Sequence, residues 1–194
     1  MSTTRIPPAP ITGLYGAAVK RFSTKLLGRV PEPLGIYFHN RRVLKGYLSI
    51  SGKAQKWGAC DESLKSFAHL AVASLIGCSW CLDFGYFQAA NERLDLAKAR
   101  EVPRWRDSGV FTPAERDVME YAEAMSQTPP TVDDVLVATL REEIGDPALV
   151  ELTAFIALAN FYARSNVAFG VESEGYAASC NLAPLAARSV GSAA

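Results

Sequence analysis

The chain has 194 residues, 49% of them hydrophobic, and 20 Lys plus Arg balance 20 Asp plus Glu. That apolar fraction suits one domain with a sizeable core, or one subunit of an oligomer. The even charge, with no long basic block, argues against nucleic acid or anionic lipid as a partner.

Helical patterning runs through nearly all of the sequence, with no internal repeat and almost no strand-like alternation. The opening MSTTRIPPAP lacks the apolar core of a secretory signal. A first amphipathic helix is expected from about Leu14 to Leu27, ending near Gly28, and Pro31 and Pro33 start a second that carries Ile36, Phe38, Val43, Leu44 and Leu48. Asp61 caps an apolar helix from Leu64 to Ile76, Gly77 breaks it, and a further helix starts at the cysteines and reaches about Glu92. A polar stretch with Pro103 follows. Thr112-Pro113-Ala114-Glu115 is a capping box with proline at the first helical position, opening a helix to about Gln127. A cap at Thr131 starts the next helix, which ends near Gly145, and Asp146-Pro147 opens the last long one, Leu149 to about Phe169. Apolar residues cover most of that helix's circumference, which places it centrally or against another subunit. The tail after Gly175 is rich in small residues and is expected to fray at its end. The expectation is a single all-α domain of about eight helices over residues 1–194. The longest stretch without a formal charge, Ser66 to Leu82, holds His69, Gly77 and two cysteines, so a buried helix and turn fit it better than a membrane span. A soluble, cytoplasmic protein is expected.

The cysteines are Cys60, Cys78, Cys81 and Cys180. In a cytosolic chain a close pair points to catalysis or metal rather than to a structural disulfide framework. A Cys-x-x-Cys at a helix start has a physical logic. Unpaired amide hydrogens and the positive end of the helix dipole stabilise a thiolate, lowering its pKa from about 8.5. The two-residue gap lets one sulfur resolve a sulfenic acid on the other. Two rival readings stand beside redox use. Zinc needs two more ligands from Cys60, Cys180, His39 and His69, none of which forms a second close pair. The other rival is that both cysteines pack as small hydrophobes.

The stretch LKSFAHLAVASLIGCSWCLDFG resembles the core motif of the carboxymuconolactone decarboxylase family, on its alkylhydroperoxidase (AhpD-like) side. Leu64, Lys65, Leu70-Ala71-Val72, Gly77, Cys78, Cys81, Leu82 and Asp83 fit the pattern, and LVELTAFIALANFYARSNVAFG, Leu149 to Gly170, is similar to the family's packing helix more loosely. The resemblance implies an all-helical, AhpD-like fold that forms homo-oligomers, often trimers or hexamers. It also implies peroxide or disulfide chemistry, with Cys81 attacking and Cys78 resolving.

The pattern also places a glutamate twelve residues before the first cysteine and a histidine four residues after the second. Those two residues form the family's proton relay. Here the places hold Ser66 and Gly85, neither of which can move a proton near neutral pH. His69, three residues after Ser66, is the candidate substitute, since an imidazole pKa near 6.5 suits a general base; its alternative is a core histidine bonded to a backbone carbonyl. Gly85 opens space beside Cys81 for a substrate or for an aromatic ring from another helix. Asp83 faces away from Cys81 and suits capping or a subunit contact, and Trp80 suits packing over the pair. Arg164 is expected in an ion pair, while Cys60 and Cys180 read as unpaired bystanders.

The functional expectation is a thiol-dependent oxidoreductase using Cys78, Cys81 and His69, acting on a small peroxide or disulfide. It needs no bound cofactor, but an external thiol or dithiol must return the pair to the reduced state. The rival is a non-catalytic redox-sensing or partner-binding family member. A lactone decarboxylase, resting on the family's name alone, ranks below both.

Overall fold

A computed structural model describes residues 4–187. The end of the tail, expected to fray, lies outside the described residues, as do the first three positions. The fold is all-α, with ten helices and one 3-10 turn among the described residues.

Local capping chemistry sets most boundaries. Helix α1, Gly13–Leu27, stops at Gly28 in the left-handed conformation. The single helix expected after Pro31 is in fact two, α2 (Glu32–Tyr37) and α3 (Arg41–Ala54). The break is Asn40, whose extended backbone and Oδ1, accepting from the Arg42 and Val43 amides, make it the N-cap of α3. Asp61 caps α4, Glu62–Ile76, and Gly77 ends it with φ 79°. Helix α5 follows at once, Ser79–Asn91.

The polar stretch around Pro103 is itself helical: Asp95 caps α6 (Leu96–Glu101), which passes into the 3-10 turn Val102–Asp107. The capping box at Thr112 opens α7, Pro113–Ser126. Helix α8, Asp134–Ile144, is capped by Asp133 rather than Thr131, because the Asp133 carboxylate accepts from the Leu136 amide. Helix α9 is Asp146–Phe169, and the short α10 is Tyr176–Ser179.

Helix α4 is the hub, packed against α5, α7 and α9. Its buried run alternates bulk and small residues: Phe67, Leu70 and Val72 fill space while Ala68, Ala71 and Ala73 let neighbouring backbones approach. Met119 and Ala122 of α7 and Leu152, Ile156 and Ala159 of α9 close the core. A smaller cluster, Val19, Leu34, Tyr37, Phe38 and Leu44, holds α1 to α3 together. Among the described residues, no helix is long and apolar enough to cross a membrane.

One charge is buried in the hub. Lys65 sits below the surface and its ammonium donates to Glu62, Glu151 and the Trp57 carbonyl. The Glu151 side chain is largely covered, at 8% exposure, and accepts from the Ala59 amide, whereas Glu62 is exposed. Removing one partner of a buried pair strands the other charge. Glu151→Ala is therefore expected to destabilise the protein by about 3–5 kcal/mol and Glu62→Ala by under about 1 kcal/mol, measured by urea unfolding.

Candidate functional site

The site begins with the turn between α4 and α5. The amides of Gly77 and Cys78 both donate to the Ala73 carbonyl at 3.0 Å, closing α4. Cys78 then takes extended backbone as the N-cap of α5, and its Sγ accepts the Cys81 amide at 3.2 Å. A sulfur so placed receives the positive end of the helix. Cys78 and Cys81 form a disulfide, with Cα atoms 5.2 Å apart, and both are buried, at 0% and 2% exposure.

His69 and Gly85 lie at equal separations either side of Gly77 in the sequence, so the helical hairpin brings them face to face. A Cβ built on Gly85 would stand 2.7 Å from His69 Cδ2 and 3.1 Å from its Nε2. The space opened by Gly85 is thus filled by an aromatic ring from another helix, and that ring is the His69 imidazole. Its Nε2 lies 3.3 Å from the Cys81 carbonyl oxygen. A carbonyl only accepts, so Nε2 carries the hydrogen and Nδ1 holds the basic lone pair of the neutral ring. Burial pushes the imidazole pKa below its usual value, and the bond to Cys81 opposes that shift.

The segment from Val171 to Gly175 straps the first turn of α5. It runs between two left-handed glycines, Gly170 and Gly175. The Ser173 amide donates to Ser79 Oγ at 3.1 Å, and Trp80 Nε1 donates to Glu174 at 2.7 Å. Asp83 takes the capping role: its carboxylate accepts from the Ser173 hydroxyl and from the Tyr176 and Ala177 amides at 2.8–2.9 Å, closing the open end of α10. Trp80 is stacked on Phe84 and edge-on to Tyr176, and Arg29 lies over the Tyr176 ring. Trp80 is a packing residue in an aromatic wall with Phe84 and Tyr176.

Other candidate residues fall elsewhere. Arg164 makes no ion pair among the described residues. Its guanidinium donates to the Ser126 carbonyl, Asn160 and Thr128 at the end of α7, where unpaired carbonyls need donors. Cys60 is free and buried, its thiol pushed up to about 11 chiefly by burial; Cys180 is free and exposed. His39 bonds the Pro7 carbonyl. No group of three His, Cys, Asp or Glu side chains gathers as a metal site among the described residues.

Asn166 was not singled out by the sequence reasoning. It is 1% exposed and its Nδ2 lies 3.6 Å from Cys81 Sγ. Its signal was a polar residue in register with Leu152, Ile156, Ala159 and Ala163 on the buried stripe of α9.

The model of the carboxymuconolactone decarboxylase family matches residues 41–124, from α3 through most of α7. The uncharacterized protein YnjA of Escherichia coli (strain K12) is 34% identical over 148 residues, covering 76% of each chain. Solved structures share the fold. The debrominase Bmp8 gives a TM-score of 0.78 at 20% identity, over 92% of this chain and 97% of that one. An alkylhydroperoxidase AhpD core protein, described as an uncharacterized peroxidase-related protein of Ralstonia eutropha JMP134, gives 0.75 at 15% identity, over 91% and 95%.

Because Asp83 holds the strap at Ser173 and the start of α10 just beyond it at the Tyr176 and Ala177 amides, Asp83→Ala is expected to loosen the strap. Reduction of the Cys78–Cys81 disulfide by dithiothreitol, followed by alkylation and mass spectrometry, should then run severalfold faster than in the unaltered protein.

Proposed function

This chain belongs to the carboxymuconolactone decarboxylase family, and we propose that it is a thiol-dependent oxidoreductase, reducing a small peroxide or disulfide through Cys78 and Cys81 with His69 moving the proton. The observation that carries this reading is the His69 ring seated on Gly85, beside a disulfide at the head of α5. The family's histidine is missing from its usual place, and an imidazole from α4 fills the space that its side chain would enter.

In the reduced state a thiolate attacks a peroxide oxygen. The S–O bond forms, the O–O bond breaks, and the departing alkoxide takes a proton, leaving a sulfenic acid. The second thiol attacks that sulfur, expels water and closes the disulfide. With a disulfide substrate the steps are two thiol–disulfide exchanges. An external thiol or dithiol then supplies two electrons and two protons to regenerate the pair. His69 Nδ1 accepts the thiol proton and returns it to the leaving oxygen. The resemblance makes Cys81 the attacking sulfur, while helix-end electrostatics serve Cys78, which caps α5. We further propose a cytoplasmic homo-oligomer, a trimer or hexamer; on α9, Val150 and Phe161 are 70% and 45% exposed and offer an apolar face for it.

The burial of both sulfurs, with the strap bonded to the turn that carries them, also favours a second reading, a redox sensor that reacts only when the strap opens. Thiol titration before and after a stoichiometric peroxide dose, on the unaltered protein and on Cys78→Ser and Cys81→Ser, separates the two. An enzyme turns over repeatedly with an external dithiol, and either single variant stops the cycle; a sensor is oxidised once.

His69→Gln is expected to slow thiol oxidation by about a hundredfold and to remove a rate inflection. Because burial lowers the imidazole pKa, that inflection lies on the acid side of about 6.5. The same shift affects stability. The unfolded chain takes up a proton at His69 more readily than the folded one, so stability falls as pH drops from about 6.5 toward the folded pKa, and His69→Gln should flatten that loss in acid melts. Restoring the usual relay by Ser66→Glu and Gly85→His, attractive from sequence alone, collides with the His69 ring. The combination is expected to raise reactivity only with His69→Ala added.

A further inference from the structure

Leu149, Leu152, Ile156, Ala159, Ala163 and Asn166 recur at spacings of three and four along α9 and face the core, yet the last is polar. One end of its carboxamide, Nδ2, is within hydrogen-bond reach of Cys81 Sγ at 3.6 Å. The other end, Oδ1, is buried with no hydrogen-bond partner among the described residues. An unpaired buried acceptor lowers stability, and its presence here is explained if another state of the same site uses it.

That state is reduced Cys81. A disulfide sulfur has no hydrogen to give. A thiol offers one S–H, and a buried thiolate needs a donor. A carboxamide meets both needs, since Nδ2–H donates to a thiolate and Oδ1 accepts from a thiol. The two sulfurs are served from different directions: the backbone amide of Cys81 points at Cys78 Sγ, and α9 supplies Asn166 to Cys81 Sγ.

We propose that Asn166 is a catalytic residue of the cysteine pair, serving reduced Cys81 in both its forms, through Oδ1 as a thiol and through Nδ2 as a thiolate, and so favouring the dithiol over the disulfide. This rests on the reading of Cys78 and Cys81 as a redox couple. In the exchange that exposes it, two glutathione thiols give two electrons and two protons to the pair. The Cys78–Cys81 bond breaks, two thiols form, and the glutathiones leave as their disulfide.

The full chain is equilibrated at fixed pH in glutathione buffers of graded ratio, quenched with acid and weighed by mass spectrometry. Asn166→Leu, which keeps bulk but removes the donor and the unpaired acceptor, is expected to shift the equilibrium toward the disulfide by about tenfold or more. In a Cys78→Ser background, iodoacetamide alkylation of Cys81 should slow in both Asn166→Leu and Asn166→Asp, with the exposed Cys180 as internal standard. The aspartate keeps the shape but presents an acceptor to the thiolate. If neither variant folds, the Asn166 side-chain amide proton of the unaltered protein is followed by NMR and should move on reduction by dithiothreitol. A folded variant with unchanged equilibrium and alkylation, or an amide that does not move, overturns the assignment and leaves Asn166 a packing residue. An unaltered pair that glutathione never reduces reversibly overturns the redox reading, and this inference with it.

Discussion

The site depends on how closely α5 can lie along α4, and that approach is limited at Gly85. Any side chain there would begin 2.7 Å from the His69 ring, closer than carbon atoms pack. The missing side chain lets the hairpin close, and closure puts the Cys81 carbonyl in reach of Nε2. It also sets the first turn of α5 so that Cys81 Sγ lies toward the carboxamide on α9. Local backbone, imidazole orientation and sulfur environment therefore follow from one close contact.

The same contact changes what a missing motif residue means. At the level of the sequence, Gly85 is a loss, because the position that should carry an imidazole carries nothing. In three dimensions the place is occupied, and the occupant enters from the opposite helix. The imidazole reaches the α5 backbone from α4, bonded to the Cys81 carbonyl rather than standing free, and its lone pair is on Nδ1. An imidazole held this way has one fixed tautomer, set by a neighbour that does not titrate.

Much of the architecture was legible because short-range chemistry writes it. Gly28 and Gly77 take left-handed backbone, Asp61 caps α4, and the capping box at Thr112 is formed by its own residues. Where two signals competed, the sequence was harder to read. Asn40 interrupts an amphipathic pattern that otherwise runs from Ile36 to Leu48, and Thr131 and Asp133 are both good caps, two positions apart. The cysteine pair and its helix-end setting were readable for the same local reason. The partners of that pair were not. Asn166 and Cys81 are 85 positions apart, and no periodic pattern says which residue a buried amide will meet. Arg164 illustrates the converse: its charge suggested an anion, and the Ser126 carbonyl at the end of α7, with the side-chain oxygens of Asn160 and Thr128, served it instead.

The strap over α5 has a consequence for how the protein is made. Its contacts with Ser79, Trp80 and Asp83 span more than ninety positions of chain, and synthesis runs from the N-terminus. Both cysteines leave the ribosome well before the strap residues that bond the first turn of α5. For that interval the thiols face the surrounding cell chemistry unshielded, free to pair with small thiols or with each other. The strap's bonds to α5 are a late acquisition, and the pair meets that chemistry before they form.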